Sequence, residues 1–117
     1  MKLNHVHFQV RDLKAAVEWF GRVLQVPPGY QNDRIATFSF DAMTLIVDAA
    51  SVDAPGTLGF ESLDCDADFR AVLDRGAIAI EAPVNKDWGV RTAYFRGPGA
   101  LKCEIEGPIA DPRSSVG

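Results

Sequence analysis

Two histidines two residues apart, His5 and His7, lie in an alternating segment at residues 4–10. On an extended strand that spacing puts both rings on one face. There, imidazoles can hydrogen-bond a ligand, move protons or bind a metal. Gln9 continues the same row. Far along the chain, Glu104 stands between Cys103 and Ile105, which alternate onto the opposite, apolar side. A partly buried Glu104 close to His5 would make a charge-coupled pair, the two catalytic candidates for general acid–base work. Without a reaction, the same pair would orient a ligand. By the same alternation Thr44, Asp48, Gly59, Glu61, Lys102 and Glu106 share the polar side, and lining a polar pocket is the simpler role for His5 and His7. Trp88 and Arg91 suit a flat or anionic ligand, through stacking and a guanidinium contact. Trp88 equally suits a subunit interface.

The elements that must position these residues follow from periodicity. Val6, Phe8 and Val10 alternate with the polar row, which predicts a half-buried strand over 4–10. Asp12 stands where a helix N-cap belongs. Leu13, Ala16, Val17, Phe20, Val23 and Leu24 then form one apolar helical stripe, ended by Pro27, Pro28 and Gly29. Strands are predicted over 34–40 and 43–48 with a tight turn at Asp41 and Ala42, and a further short strand around 29–32 has only faint support. The second half reads alike: a strand over 57–63, Asp64 and Asp66 as candidate caps, and a short helix marked by Phe69, Val72 and Leu73 and stopped by Gly76. Strands over 77–81, 90–96 and 101–106 follow, with Gly97, Pro98 and Gly99 as the turn before the last. An offset of 52 maps Phe8 onto Phe60 and Asp12 onto Asp64, and an offset of 58 maps Leu45 onto Cys103 and Val47 onto Ile105. Two copies of one motif imply a pseudo-symmetric domain over 1–107, with modules at about 3–50 and 56–107 and a tail at 108–117.

Composition narrows the function classes. The chain has 117 residues, 47% hydrophobic and 24% charged, an ordinary globular balance. A net charge of -4 leaves no basic excess for phosphates, so nucleic acid is not an expected partner. No apolar run approaches a membrane span and no basic-then-apolar leader is visible, so the expected address is the cytoplasm, with no membrane partner. Cys65 and Cys103 lack CxxC spacing and read as buried, reduced thiols.

Three stretches carry a resemblance to a known family. They are the opening His5-Val-His-Phe-Gln-Val-Arg-Asp-Leu-Lys-Ala-Ala-Val-Glu-Trp-Phe, the stretch Trp88-Gly89-Val90-Arg91, and Phe95-Arg-Gly-Pro-Gly-Ala-Leu-Lys-Cys-Glu-Ile-Glu. In their order and spacing, over roughly residues 3 to 107, they resemble the vicinal-oxygen-chelate superfamily, the glyoxalase, bleomycin-resistance and extradiol-dioxygenase group, and within it the bleomycin-resistance-like members. The resemblance implies an α+β fold of two βαβββ modules forming a U-shaped eight-stranded sheet, with helices on the outer face, a ligand on the concave face, and a homodimer.

In metal-dependent members each half supplies two ligands, from its first and last strands. The matching positions here are His5, Ile46, Thr57 and Glu104. Ile46 has no donor atom and Thr57 is a poor ligand, which leaves His5 and Glu104, with His7 as a further candidate. A site of this type needs three or four protein donors. The expectation is therefore a small-molecule-binding protein with no cofactor and no tightly bound metal. Its ligand-binding candidates are His5, His7, Gln9, Thr57, Glu61, Trp88, Arg91 and Glu104. The alternative is a metal-dependent glyoxalase-like lyase, isomerase or dioxygenase using Zn, Ni, Mn or Fe, in which the metal stabilises an enolate and a carboxylate moves the proton.

Overall fold

Each half of the chain begins with a strand, a capping aspartate and a helix, and the computed structural model, which describes residues 1–109, shows why. The Asp12 carboxylate accepts from the Ala15 backbone N–H at 3.0 Å and starts α1, Leu13–Trp19. Asp64 does the same for Ala67 at 3.1 Å and starts α2, Cys65–Asp74. Each bond satisfies one of the N–H groups that a helix start leaves without a partner. Asp66, the other candidate cap, instead lies in the first turn of α2 beside Asp68. Both carboxylates face the positive end of the helix dipole there. Gly76 (φ 99°) closes α2 as expected. Its N–H bonds Leu73 and the Ala77 N–H bonds Val72, a left-handed C-terminal cap.

The chain forms two compact units. The first comprises residues 1–56 with 97–101, and the second 57–96 with the described residues from 102 onward. In the first, β1 (His5–Val10) pairs in parallel with β4 (Met43–Ala49), β4 is antiparallel to β3 (Ile35–Phe40), and β3 to β2 (Tyr30–Gln31). In the second, β5 (Gly56–Glu61) lies beside β8 (Leu101–Gly107), then β7 (Arg91–Arg96), then β6 (Ala79–Asn85) at the edge. The two strand orders are the same when matched along the repeat. All eight expected strands are present, and their hydrogen bonding is divided into two four-stranded mixed sheets.

Several boundaries differ from the periodicity, each for a physical reason. The apolar stripe that reads as one helix through Leu24 is α-helical only to Trp19. Phe20–Leu24 forms a π-helical turn in which Phe20 and Val23 are both fully buried. Gln25 (φ 59°) and the two prolines then end it. The faint strand near 29–32 is real but only two residues long. Asn32 accepts from the N–H groups of Arg34 and Ile35, turning the chain back so that Gly29 and Tyr30 can bond Thr37. Strand β6 starts later and runs longer than the expected 77–81. Pro83 and two register shifts disrupt its alternation, which an edge strand tolerates because one row of N–H groups has no sheet partner. The expected tail, 108–117, lies almost wholly outside the described residues.

The core of each unit lies under its helix. Ala36, Phe38, Leu45 and Val47 meet Val10, Leu13, Ala16, Phe20 and Val23 in the first unit, with the Phe20 and Phe38 rings stacked at 4.2 Å. Cys65, Phe69, Val72, Ala93, Phe95, Cys103 and Ile105 fill the second. Phe8 and Phe60, equivalent in the repeat, are each half-buried rather than fully buried, because β1 and β5 are edge strands. Gly56 is needed beside Phe8, since a Cβ there would come within 2.5 Å of the ring. Truncating Phe38 should therefore destabilise the protein by about 3–5 kcal/mol in urea unfolding, as for a fully buried phenylalanine. Phe8→Ala should have a clearly smaller effect, and equal losses would refute this assignment of core and edge.

Candidate functional site

The open face of the first sheet carries the histidine row. Register places His5 beside Thr44, His7 beside Ile46 and Gln9 beside Asp48. The burial of Leu45 and Val47 forces their alternates, Thr44, Ile46 and Asp48, onto this face. His7 Nδ1 meets Asp48 Oδ2 at 2.8 Å, and His5 Nδ1 meets Asn4 Oδ1 at 2.7 Å. The two imidazole rings are 5.6 Å apart, edge to face. His5 and Ile46 line one hollow of about 490 Å3 with Lys2, Asn4, Ser39 and Thr44. His5, His7 and Gln9 are all exposed, so the row is open to a solute.

The open face of the second sheet carries the carboxylates. Burial of Cys103 and Ile105 turns Lys102, Glu104 and Glu106 to this side, as expected. Glu104, Glu61, Glu106 and Gly59 border a hollow of about 320 Å3. Thr57 and Glu61 are exposed on β5, but Thr57 is not part of that lining. Glu104 is half-buried, and its Oε2 accepts a hydrogen bond from the Tyr94 hydroxyl, directly opposite it on β7. The Lys102 ammonium stands 4.8 Å from the Tyr94 ring centre. The hydrogen bond to Glu104, with desolvation and the nearby carboxylates, pushes the Tyr94 phenol up to about 12. The other carboxylate oxygen of Glu104 lies on the Gly59 side, where even an added Cβ would stay 3.8 Å away.

Tyr94 is the residue that sequence reasoning missed. Its signal was present in the hairpin: the Gly97 N–H bonds the Leu101 carbonyl, and counting outward equally along both strands pairs Tyr94 with Glu104.

Two expected ligand residues lie elsewhere. Arg91 pairs with Gly107 and shares a strand face with Ala93 and Phe95, so it belongs to the helix-covered side and not with Glu104. Its guanidinium holds both Asp66 oxygens, at 2.8 and 3.0 Å, and Asn85 at 3.2 Å, fastening α2 to the sheet. That fork lowers the Asp66 carboxyl below its ordinary range. Trp88 is at the tip of the β6–β7 hairpin, 70% exposed. Neither cysteine offers a nucleophile. Both are buried and reduced, desolvation raises the Cys65 thiol, and it pushes Cys103 up to about 12.

The donor set at His5, Ile46, Thr57 and Glu104 does not fit a resident metal. Ile46 presents only hydrocarbon beside His5, Thr57 is a poor donor, and one Glu104 oxygen is engaged by Tyr94. Among the described residues, neither unit groups three His, Cys, Asp or Glu side chains around a point where an ion would be held.

No protein-family profile matches the sequence, and no curated protein sequence matches it. Solved structures do match. A glyoxalase/bleomycin resistance protein/dioxygenase from Nocardioides aligns with TM-score 0.81 and 17% identity, over 96% of this chain and 87% of that one. The chain has the glyoxalase/bleomycin-resistance fold. A glyoxalase-related enzyme from Fulvimarina pelagi aligns with TM-score 0.76 and 16% identity, over 94% of this chain and 93% of the other. TnmS3, an antibiotic binding protein from Streptomyces sp. CB03234, aligns with TM-score 0.74 and 19% identity, over 93% and 97%. The α+β architecture of paired βαβββ modules implied by the sequence resemblance is thus the architecture observed. No helix among the described residues is long and apolar enough to cross a membrane.

The Tyr94–Glu104 pair has a direct optical readout. A phenol raised in the folded state adds stability that is complete below its ordinary value of 10.0 and is lost as pH rises through about 12. Absorbance titration of the folded protein should show one phenol ionising near 12. Glu104→Gln should bring it down towards the ordinary value, and an unchanged curve would mean that the pair does not form in solution.

Proposed function

We propose that the protein binds a small organic ligand on the polar faces of its sheets, with no resident metal at His5, Ile46, Thr57 and Glu104. The observation that carries this reading is how Glu104 is held. A half-buried carboxylate with one oxygen fixed by Tyr94 and the other towards a hollow is oriented to accept from a ligand donor before the ligand arrives. Glu61 and Glu106 border the same hollow and supply further polar contacts there, and His5, His7 and Gln9 form a separate polar row on the first sheet that is also open to a ligand. Arg91 is left out because Asp66 and Asn85 hold it on the helix side. A neighbour of the same fold, TnmS3, is an antibiotic binding protein, which supports binding as the function class. Three carboxylates around the second hollow favour a ligand that is neutral or cationic there.

We further propose a cytoplasmic homodimer. The edge strand β6 and its hairpin leave Ile80, Val84 and Trp88 exposed, with Ile78 just before them, an apolar strip that a second copy would cover. Sedimentation should give a dimer at micromolar concentration, and Ile80→Glu should shift it towards monomer. A wild-type chain that stays monomeric would remove this part of the reading.

Ligand binding is tested by tryptophan fluorescence during titration with bleomycin and with a panel of polycyclic aromatic antibiotics. A saturable change is expected for at least one compound, weakened about tenfold or more by Glu104→Ala, in line with loss of a charge-assisted hydrogen bond. No saturable change with any compound would sink the proposal. Stoichiometric Zn, Ni, Mn or Fe in untreated protein, lost in both His5→Ala and Glu104→Ala, would replace it with the metal-dependent lyase, isomerase or dioxygenase reading.

A further inference from the structure

We propose that the bare backbone at Gly59 is the floor of a subsite for a flat aromatic cation, an aryl amidine or amine whose N–H groups reach Glu104. This ligand class rests on the ligand-binding reading above and narrows it for the second hollow. Gly59 is a glycine that the fold does not require. It lies within β5, and glycine inside a strand costs stability relative to a residue with a side chain. Its φ is outside the left-handed region, so no turn or strained backbone demands it. Packing does not demand it either. A Cβ there would meet only Glu104 Oε1, at an ordinary contact distance of 3.8 Å, with no other atom of the described residues within 4 Å. The repeat agrees: the offset of 52 that maps Phe8 onto Phe60 maps His7 onto Gly59, so the equivalent position of the first sheet carries a whole imidazole. A strand glycine without such a reason marks a place where a ligand or another backbone comes close.

The surroundings of Gly59 favour the ligand. Gly59 borders the hollow of about 320 Å3 together with Glu61, Glu104 and Glu106. Tyr94 holds Glu104 Oε2, and Oε1 lies on the Gly59 side. A ligand atom in the place of the missing Cβ would lie 3.8 Å from Oε1. A donor bonded to that atom then comes within the usual N–H···O distance of about 2.9 Å. A flat ring uses this space best. Its face rests on the uncovered peptide at van der Waals distance, whereas a Cβ would hold it off and a puckered ring would touch at few points. The three carboxylates favour positive charge and repel an anion. Lys102, the cation on the same strand face, stands over the Tyr94 ring at 4.8 Å and is not part of the lining. An amidinium has two donor groups, one for Glu104 Oε1 and one for Glu61 or Glu106, in bonds strengthened by charge.

The test titrates the full chain with benzamidine near neutral pH and follows its backbone amide signals by NMR. Saturable movement is expected, concentrated at Gly59, Glu61, Glu104 and Glu106. Cyclohexanecarboxamidine, with the same charge on a puckered ring, should bind about tenfold more weakly or worse, and benzoate, with the same ring and the opposite charge, should not bind. Glu104→Gln should weaken benzamidine about tenfold or more. Gly59→Val should weaken it about as much by filling the floor, with Gly59→Ala in between. Both glycine variants should leave the urea midpoint unmoved or raise it, since the added side chain enters open space on a strand. No saturable benzamidine binding, equal binding of the two amidines, movement spread over other carboxylates, or binding unchanged in Gly59→Val would overturn the proposal. A lowered urea midpoint in both glycine variants would overturn it by giving Gly59 a structural role. A shift from dimer to monomer in Gly59→Val would overturn it by assigning the space to a second copy. An antibiotic that binds through Glu104 and is indifferent to Gly59→Val would remove this subsite and leave the ligand-binding reading standing, so the two proposals fail separately.

Discussion

The period-two alternation of the strands, pinned by burial of one face under a helix, is the constraint on which the rest depends. In the first unit Ala36, Phe38, Leu45 and Val47 are buried, and in the second Ala93, Phe95, Cys103 and Ile105. A one-residue slip in any of these strands would turn its apolar set to water and lose roughly 1.5–3 kcal/mol for each large side chain. The register is therefore held by the core, and the core decides what appears on the other side. His5, His7, Gln9 and Asp48 in one unit, and Tyr94, Lys102, Glu104 and Glu106 in the other, face outward because their neighbours in sequence face inward. The chemistry of the open faces is set by what the packing leaves over.

The two units share one strand order and one helix-capping device, yet carry different chemistry. The first presents imidazoles tied to a carboxylate and an amide. The second presents carboxylates, one of them tied to a phenol. The repeat conserves the apolar positions and the caps Asp12 and Asp64, which the fold requires, and lets the polar positions diverge. Fold alone therefore does not assign function. What distinguishes the two faces is how Asn4 and Asp48 orient the histidines in one unit and Tyr94 orients Glu104 in the other.

Much of the architecture was legible in the sequence because it follows local rules. Alternation marked β1, β3, β4, β7 and β8, the helical stripes marked α1 and α2, and an aspartate at each start with Gly76 at the second stop marked their ends. What was faint or misread lay where tertiary contacts override local preference. The two-residue β2 is too short to carry a period. Pro83 hides the second half of β6, and the π-helical turn at Phe20–Leu24 is compatible with the same apolar stripe as a regular helix. Arg91 looked free for a ligand because nothing near it in sequence reveals Asp66, 25 positions away and brought alongside only when α2 packs on the sheet.

By itself, then, the sequence determined which side of each strand is polar, where the helices start, that the motif occurs twice, and that Ile46 and Thr57 make poor metal donors. These are properties of residue type and spacing within a few positions of the chain. Only the tertiary structure decided the pairings: His7 with Asp48, Tyr94 with Glu104, Arg91 with Asp66. Strand register and helix docking bring those partners together across 41, 10 and 25 residues. A hydrogen bond needs its two atoms placed within a few tenths of an ångström. Composition and periodicity specify faces, not positions at that precision. The packed core supplies it, because a close-packed interior admits one register and with it one set of neighbours.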